Sequence, residues 1–334
     1  MEEDYPSIPM ERTRKIIRRS IYTFLQNYSY YTTTAALLAL PFSASILLSQ
    51  ALVPSSSVLP PIHHRLASLF HAAGFPPSSE FFTILSLKLS QTITSSIVVL
   101  PFTLSLLLIA KASIIQSFSH QKQSVQTPFS QFISLYSHLL HTQVWNSFVI
   151  LSANATCFAI LFFAFNFLDG FALSSPTSLL FLSASGAVLY SIILANALII
   201  CNMALVLSGI ENCGGYISIL KACVLIRGRT ATALSLALPV NMALAAVEAL
   251  FQYRVVRAYH HTDNLTTSMA FEGMFIAYLY SILIVLDTVI GCVFFQSCKS
   301  ASSIDQERRI SFWIEIEEGS ANSYQKAKIL QELP

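Results

Sequence analysis

Charge is what this chain of 334 residues has least of. Asp, Glu, Lys and Arg make up 11% of it, against roughly 25% in a typical soluble domain. That is too little to cover a water-soluble globule of this size, which argues against a soluble enzyme, a nucleic-acid binder and a disordered regulator. The formal net charge of +2 is too small to draw a polyanion, so no nucleic-acid partner is expected. Glycine is scarce as well: ten in all leave no glycine-rich loop to cradle a nucleotide, and no Walker or Rossmann fingerprint occurs. H-E-x-x-H and G-x-S-x-G are absent. The six cysteines include no C-x-x-C pair and no zinc spacing. Neither enzyme activity nor a cofactor or metal is expected.

What fills the chain is apolar sequence, 54% of it, with a mean hydropathy of +0.61. No charge falls between Arg19 and Arg65, Lys88 and Lys111, Lys122 and Asp169, or Asp169 and Glu211. About 20 apolar helical residues cross a bilayer core of about 30 Å. Continuous apolar runs fit helices, which satisfy their own backbone in hydrocarbon, and not a barrel, whose strands alternate polar and apolar residues. The spacing predicts an all-α, polytopic membrane protein with six spans at 31–52, 90–111, 146–168, 178–207, 231–253 and 270–296. A cytosolic segment, 1–29, precedes this 30–296 domain, and a cytosolic tail, 297–334, follows it. Pro41, Pro101 and Pro239 fall inside spans, as membrane helices tolerate.

Lys and Arg set the expected orientation. With both termini cytosolic, 15 of the 19 basic residues lie on that side, counting Lys111 as the residue just past the second span. The first span reads as an uncleaved anchor because its apolar stretch exceeds a signal-peptide core. The sequon at Asn264 then lies in an outer loop, a candidate glycosylation site. The membrane is either the plasma membrane or an endomembrane.

Three segments on the expected cytosolic side carry an apolar stripe at helical spacing. The first has Ile16, Ser20, Phe24 and Leu25 among Arg12, Arg14, Lys15, Arg18 and Arg19. The others run over 129–140 and over 217–225, after Gly214-Gly215. Each precedes a span, so the chain reads as three repeats of an interfacial helix plus a helical hairpin. Such a helix either sinks into the headgroup layer, its basic residues meeting anionic lipid, or packs on its own bundle. Arg12, Arg14, Lys15, Arg18 and Arg19 are the candidate lipid-binding residues.

Leu40-Pro41-Phe42-Ser43 recurs as Leu100-Pro101-Phe102-Thr103. With the Arg-rich first helix, Leu225-Ile226-Arg227-Gly228-Arg229 and Ser297-Cys298-Lys299-Ser300, it resembles a family of plant six-span membrane proteins of unknown function. It is more distantly similar to the membrane domain of some bacterial glycerophosphodiester phosphodiesterases. The resemblance implies this architecture and carries no catalytic residues.

Polar residues inside spans are the candidates for function. Asp287 in the sixth span is the sharpest, a carboxylate with no evident cation beside it. Glu248, near Arg254, and Asn202 and Asn241 complete a candidate polar seam. His63, His64, His71, His260 and His261 lie in outer loops, and His138 and His141 share a helix face; solvated or interfacial histidine fits all of them. Cys298, just past the sixth span, is a candidate for palmitoylation. The tail is expected to be flexible with short strand or helix tendencies. Two functions follow: a non-enzymatic protein that organises membrane lipids or partner proteins through its amphipathic helices, or a small-solute or ion transporter working through the seam around Asp287.

Overall fold

The computed structural model describes residues 9–72, 80–120, 129–170, 176–262 and 267–331. Among the described residues all regular structure is helical. Six helices are long and apolar enough to cross a membrane: Tyr28–Leu52, Ser86–Phe118, Ile133–Ala164, Ala184–Glu211, Thr230–Tyr259 and Thr267–Ala301, spans one to six. This is the all-α, six-span architecture that the charge-free runs predict.

The sixth span lies at the centre, packed on spans one, two, four and five. Val285, Val289, Cys292 and Val293 recur on its inward face and are fully buried. Lipid tails are as apolar as leucine, so burial alone does not draw helices together, and close approach through small residues does. Ala35 and Ala39 of span one and Ala204 of span four are accordingly fully buried. Gly291 lets span six approach Val206 of span four, where an added Cβ would meet Val206 Cγ2 at 3.3 Å. Span three sits at the edge, tied to span four by Asn146, whose Nδ2 donates to the Cys201 carbonyl at 3.0 Å.

The matching Pro runs have a structural counterpart. A π-helical turn, Ala35–Ala39, precedes Pro41, and another, Thr103–Leu107, follows Pro101; the two turns pack together. Proline offers no backbone N–H, so the helix must re-register around it. Hydroxyls take up carbonyls nearby: Ser43 Oγ donates to the Ala39 carbonyl at 2.9 Å, and Ser105 Oγ to that of Pro101 at 2.6 Å.

Three shorter helices lie outside the spans: α1 (Pro9–Gln26), α2 (Leu59–Ala72) and α3 (Tyr216–Ile226). α1 buries Thr13, Ile16, Ser20, Thr23 and Phe24 against spans five and six. Arg14, Lys15, Arg18 and Arg19 stay exposed, beside exposed Ile21, Tyr22 and Leu25. α3 likewise buries Ser218, Ile219, Ala222 and Ile226 and exposes Ile217, Leu220 and Val224. Both helices therefore dock one face on the bundle and keep a second apolar face outward.

The segment expected as the middle interfacial helix differs. It is the start of one unbroken helix, Phe129–Gly170, that contains span three. Its Leu139 is fully buried in the bundle, and its Tyr136 hydroxyl donates to the Leu104 carbonyl at 2.8 Å. Without a glycine or proline between 129 and 170, nothing interrupts the helix there. The tail is helical too, because the sixth span continues without a break to Gln331.

Candidate functional site

Asp287 projects from the middle of span six into a cavity of about 70 Å³ between spans two, four, five and six. The wall is mostly apolar, with Ile115, Leu236 and Phe294 among its residues, and carries four polar side chains: Lys111, Asn202, Asp287 and Thr288. The Thr288 hydroxyl is spent on its own helix, donating to the Ile284 carbonyl at 3.0 Å. Lys111 and Asp287 are both half-buried. Among the described residues neither forms a hydrogen bond or an ion pair. One cation and one anion thus face a common space and do not touch. A charge inside a bilayer is costly unless compensated, and here each is the other's nearest compensation across the cavity.

Lys111 is the correction that matters most. Counted as a cytosolic residue past the second span, it lies inside that span, seven residues before Phe118, or about 10 Å along the axis. The helix carries on to His120, and Ile114, Ile115 and Phe118 beyond the lysine are buried. The lysine ends an apolar run, and the apolar pattern that resumes after it is the signal that places it inside the span.

Of the other seam candidates, Asn202 lines the cavity and is exposed at its rim. Asn241 does not line it and points out of the bundle. Three or four residues separate helix positions on one face, and Asn241 stands four from Ala237 yet turns outward, so residue type alone misplaced it. Glu248 is not in the cavity either. It lies nearer the other end of span five, and the Tyr280 hydroxyl donates to its Oε1 at 2.9 Å. The basic partner expected for Glu248, Arg254, is paired with Glu272 at 3.1 Å. Gln252 donates to Gln50 at 3.4 Å close by. On span six, Glu272, Tyr280 and Asp287 follow one another at spacings of eight and seven, which keeps them within one face. Polar groups therefore continue from the cavity along the contact between spans five and six.

The bundle end that carries α1 and α3 is basic. Glu211, at the end of span four, holds Lys221 of α3 at 3.0 Å and Lys299 past span six at 3.4 Å. The Glu211 hydrogen bond and charge hold Lys221 above its ordinary pKa. Arg229 donates to the Cys298 carbonyl at 2.9 Å. Cys298 itself is 1% exposed, which removes it as an accessible acylation site, whereas Cys223 on α3 is exposed. Of the basic α1 residues, Lys15 pairs with Glu11 at 3.1 Å on the surface, and Arg12 falls within the same helix. His138 and His141, expected as solvated or interfacial, lie against Gly214 and Gly215. Among the described residues no group of three His, Cys, Asp or Glu could hold a metal. Asn264, the candidate glycosylation site, lies outside the described residues.

No curated protein and no solved structure matches the chain. One family, described as "Domain of unknown function (DUF8558)", matches residues 4–311, and the chain belongs to it.

Proposed function

We propose that this membrane protein binds a small polar or charged solute at the Lys111–Asp287 cavity and passes it across the bilayer without covalent chemistry. The observation that carries this reading is the cavity itself, in which a lysine and an aspartate from two different spans line one space. Ionisable groups facing a common intramembrane space mark solute and ion paths, and a cavity of about 70 Å³ has room for several waters at about 10–15 Å³ each. The Tyr280–Glu248 and Gln50–Gln252 contacts supply further polar stations toward the far end. Both termini are cytosolic in this proposal, in the plasma membrane or an endomembrane. The test is flux into proteoliposomes, read with a pH-sensitive dye and with labelled amino acids and ammonium compounds. Flux above empty vesicles that Asp287→Asn abolishes supports it; equal flux in wild type, variant and empty vesicles overturns it.

A second reading is favoured by the outward faces of α1 and α3. Exposed Tyr22 and Leu25, and exposed Leu220 and Val224, stand beside Arg18, Arg19 and Lys221. Such helices organise anionic lipid, each basic residue contributing about 1 kcal/mol near a charged leaflet. Replacing Arg12, Arg14, Lys15, Arg18 and Arg19 with Gln in the full-length protein would then lower the phosphatidylserine that co-purifies with it. Unchanged lipid content would end this reading.

A further inference from the structure

Resting on the solute-binding reading above, we infer that the cavity recognises a zwitterion, and that its ligand arrives sideways from the lipid between spans four and five.

The charge argument comes first. Lys111 and Asp287 both line the cavity, and among the described residues neither has a hydrogen-bonding or ion-pair partner. A bound anion would satisfy Lys111 and leave Asp287 worse off, and a bound cation would do the reverse. A ligand carrying both charges compensates both groups at once, which a low-dielectric site rewards most. The walls favour the same chemistry. Leu236, Ala237 and Phe294 present apolar surface around the pair, which suits an alkylated ammonium group better than a strongly hydrated inorganic ion.

The second argument is where the cavity opens. Asn202 lines it and is exposed, and Ala237 lines it and is half-exposed. These residues belong to spans four and five, so the opening is on the flank of the bundle. Asn202 lies nine residues before Glu211, the end of its span, and Ala237 seven residues after Thr230, the start of its own. At 1.5 Å per residue both are about 10–14 Å from the span ends, well below the headgroup layer. A ligand using that opening is an amphiphile whose head reaches Lys111 and Asp287 while its chains stay among the lipid tails. A zwitterionic phospholipid headgroup fits, and a free zwitterion such as glycine betaine shares the recognition chemistry but not the route.

The experiment uses the full-length protein extracted from membranes containing phosphatidylcholine, phosphatidylethanolamine and phosphatidylglycerol in equal amounts. Native mass spectrometry counts the lipid retained per protein. A second arm measures glycine betaine binding by equilibrium dialysis. Retention of one zwitterionic lipid at least tenfold above phosphatidylglycerol is expected, lost tenfold in Lys111→Met and in Asp287→Asn. Asn202→Leu, at the rim, is expected to weaken lipid retention and leave both charges in place. The exchanged pair Lys111→Asp/Asp287→Lys keeps one charge of each sign and should keep the preference, which separates recognition from simple misfolding of the single variants. Equal retention of phosphatidylglycerol overturns the zwitterion. Betaine binding without lipid retention overturns lateral access. Flux sensitive to Asp287→Asn, with no zwitterion bound in either arm, overturns this inference and leaves the solute-binding reading standing; absence of both flux and binding overturns the two together.

Discussion

The Tyr280 hydroxyl of span six donates to Glu248 Oε1 of span five at 2.9 Å, and the two residues are 32 positions apart in the chain. A phenol is the partner here, where charge counting pointed to Arg254. The contact stitches the central helix to its neighbour on the far side of the cavity. Interhelical hydrogen bonds in membrane proteins average about 0.6 kcal/mol and reach about 1.7 kcal/mol. A double-mutant cycle with Tyr280→Phe and Glu248→Gln is expected to show a coupling in that range, measured by reversible unfolding in mixed micelles. No coupling would mean that the contact does not form in the membrane-embedded protein.

The spans were legible because charge-free stretches of 20 or more residues have few physical solutions in a helical chain. The cavity was only half legible. Asp287 stood out as a charge inside an apolar run, and Asn202 was named with it. Lys111 did not, because a lysine at the end of an apolar run looks the same whether the helix stops there or continues. Only packing decides that, and Ile114 and Ile115 beyond it are buried. The middle amphipathic segment failed for a related reason. Its stripe is real, with Leu135 and Leu139 buried, but a stripe does not say whether a helix is separate from the span that follows. At α3 the preceding Gly214-Gly215 supplies the break, and before span three nothing does.

The Lys111–Asp287 pair predicts a particular pattern of stability. Removing one charge leaves the other uncompensated, and an uncompensated charge at the centre of a membrane helix costs about 2.5–3.5 kcal/mol on insertion scales. Lys111→Met and Asp287→Asn alone should each lower the yield of folded protein. The double variant should recover it, since replacing a buried pair with neutral groups is often neutral or stabilising. Recovered yield without recovered flux would mark the pair as functional. Fluorescence-detected size exclusion reads the yield directly; a double variant no better than the singles would show that the two charges do not compensate each other.

Thiol accessibility tests the basic end of the bundle. Cys223 is exposed on α3, while Cys157, Cys201, Cys292 and Cys298 are buried. A membrane-permeant maleimide should therefore modify Cys223 much faster than Cys298, although both are near Arg227 and Arg229 in the folded chain. Tryptic mass spectrometry after timed labelling separates the two. Labelling of Cys298 at the rate of Cys223 would contradict the docking of span five on the end of span six through Arg229.

Two glycines flank α3 and make a matched comparison. Gly215 and Gly228 both have positive φ, 79° and 80°, so a side chain strains the backbone at either. Their surroundings differ. A Cβ on Gly228 would meet nothing within 4 Å, whereas one on Gly215 would lie 2.7 Å from His141 Cδ2 and 3.0 Å from Nε2. The ψ of −150° at Gly215 also places it in a region almost reserved for glycine. Its N–H donates to Thr142 Oγ1 at 3.0 Å, and that hydroxyl donates to Ser208 at 2.9 Å, so a shift there disturbs spans three and four together. Gly228→Ala should cost about 1 kcal/mol, the ordinary penalty of an alanine held at positive φ. Gly215→Ala should cost about 1–3 kcal/mol more, as strained backbone and a steric clash add. Trimming the clashing ring with His141→Ala on top of Gly215→Ala should return the steric part and leave the backbone part. Thermal unfolding of the four variants in detergent would read these differences, and equal losses for Gly215→Ala and Gly228→Ala would exclude the contact between His141 and the turn.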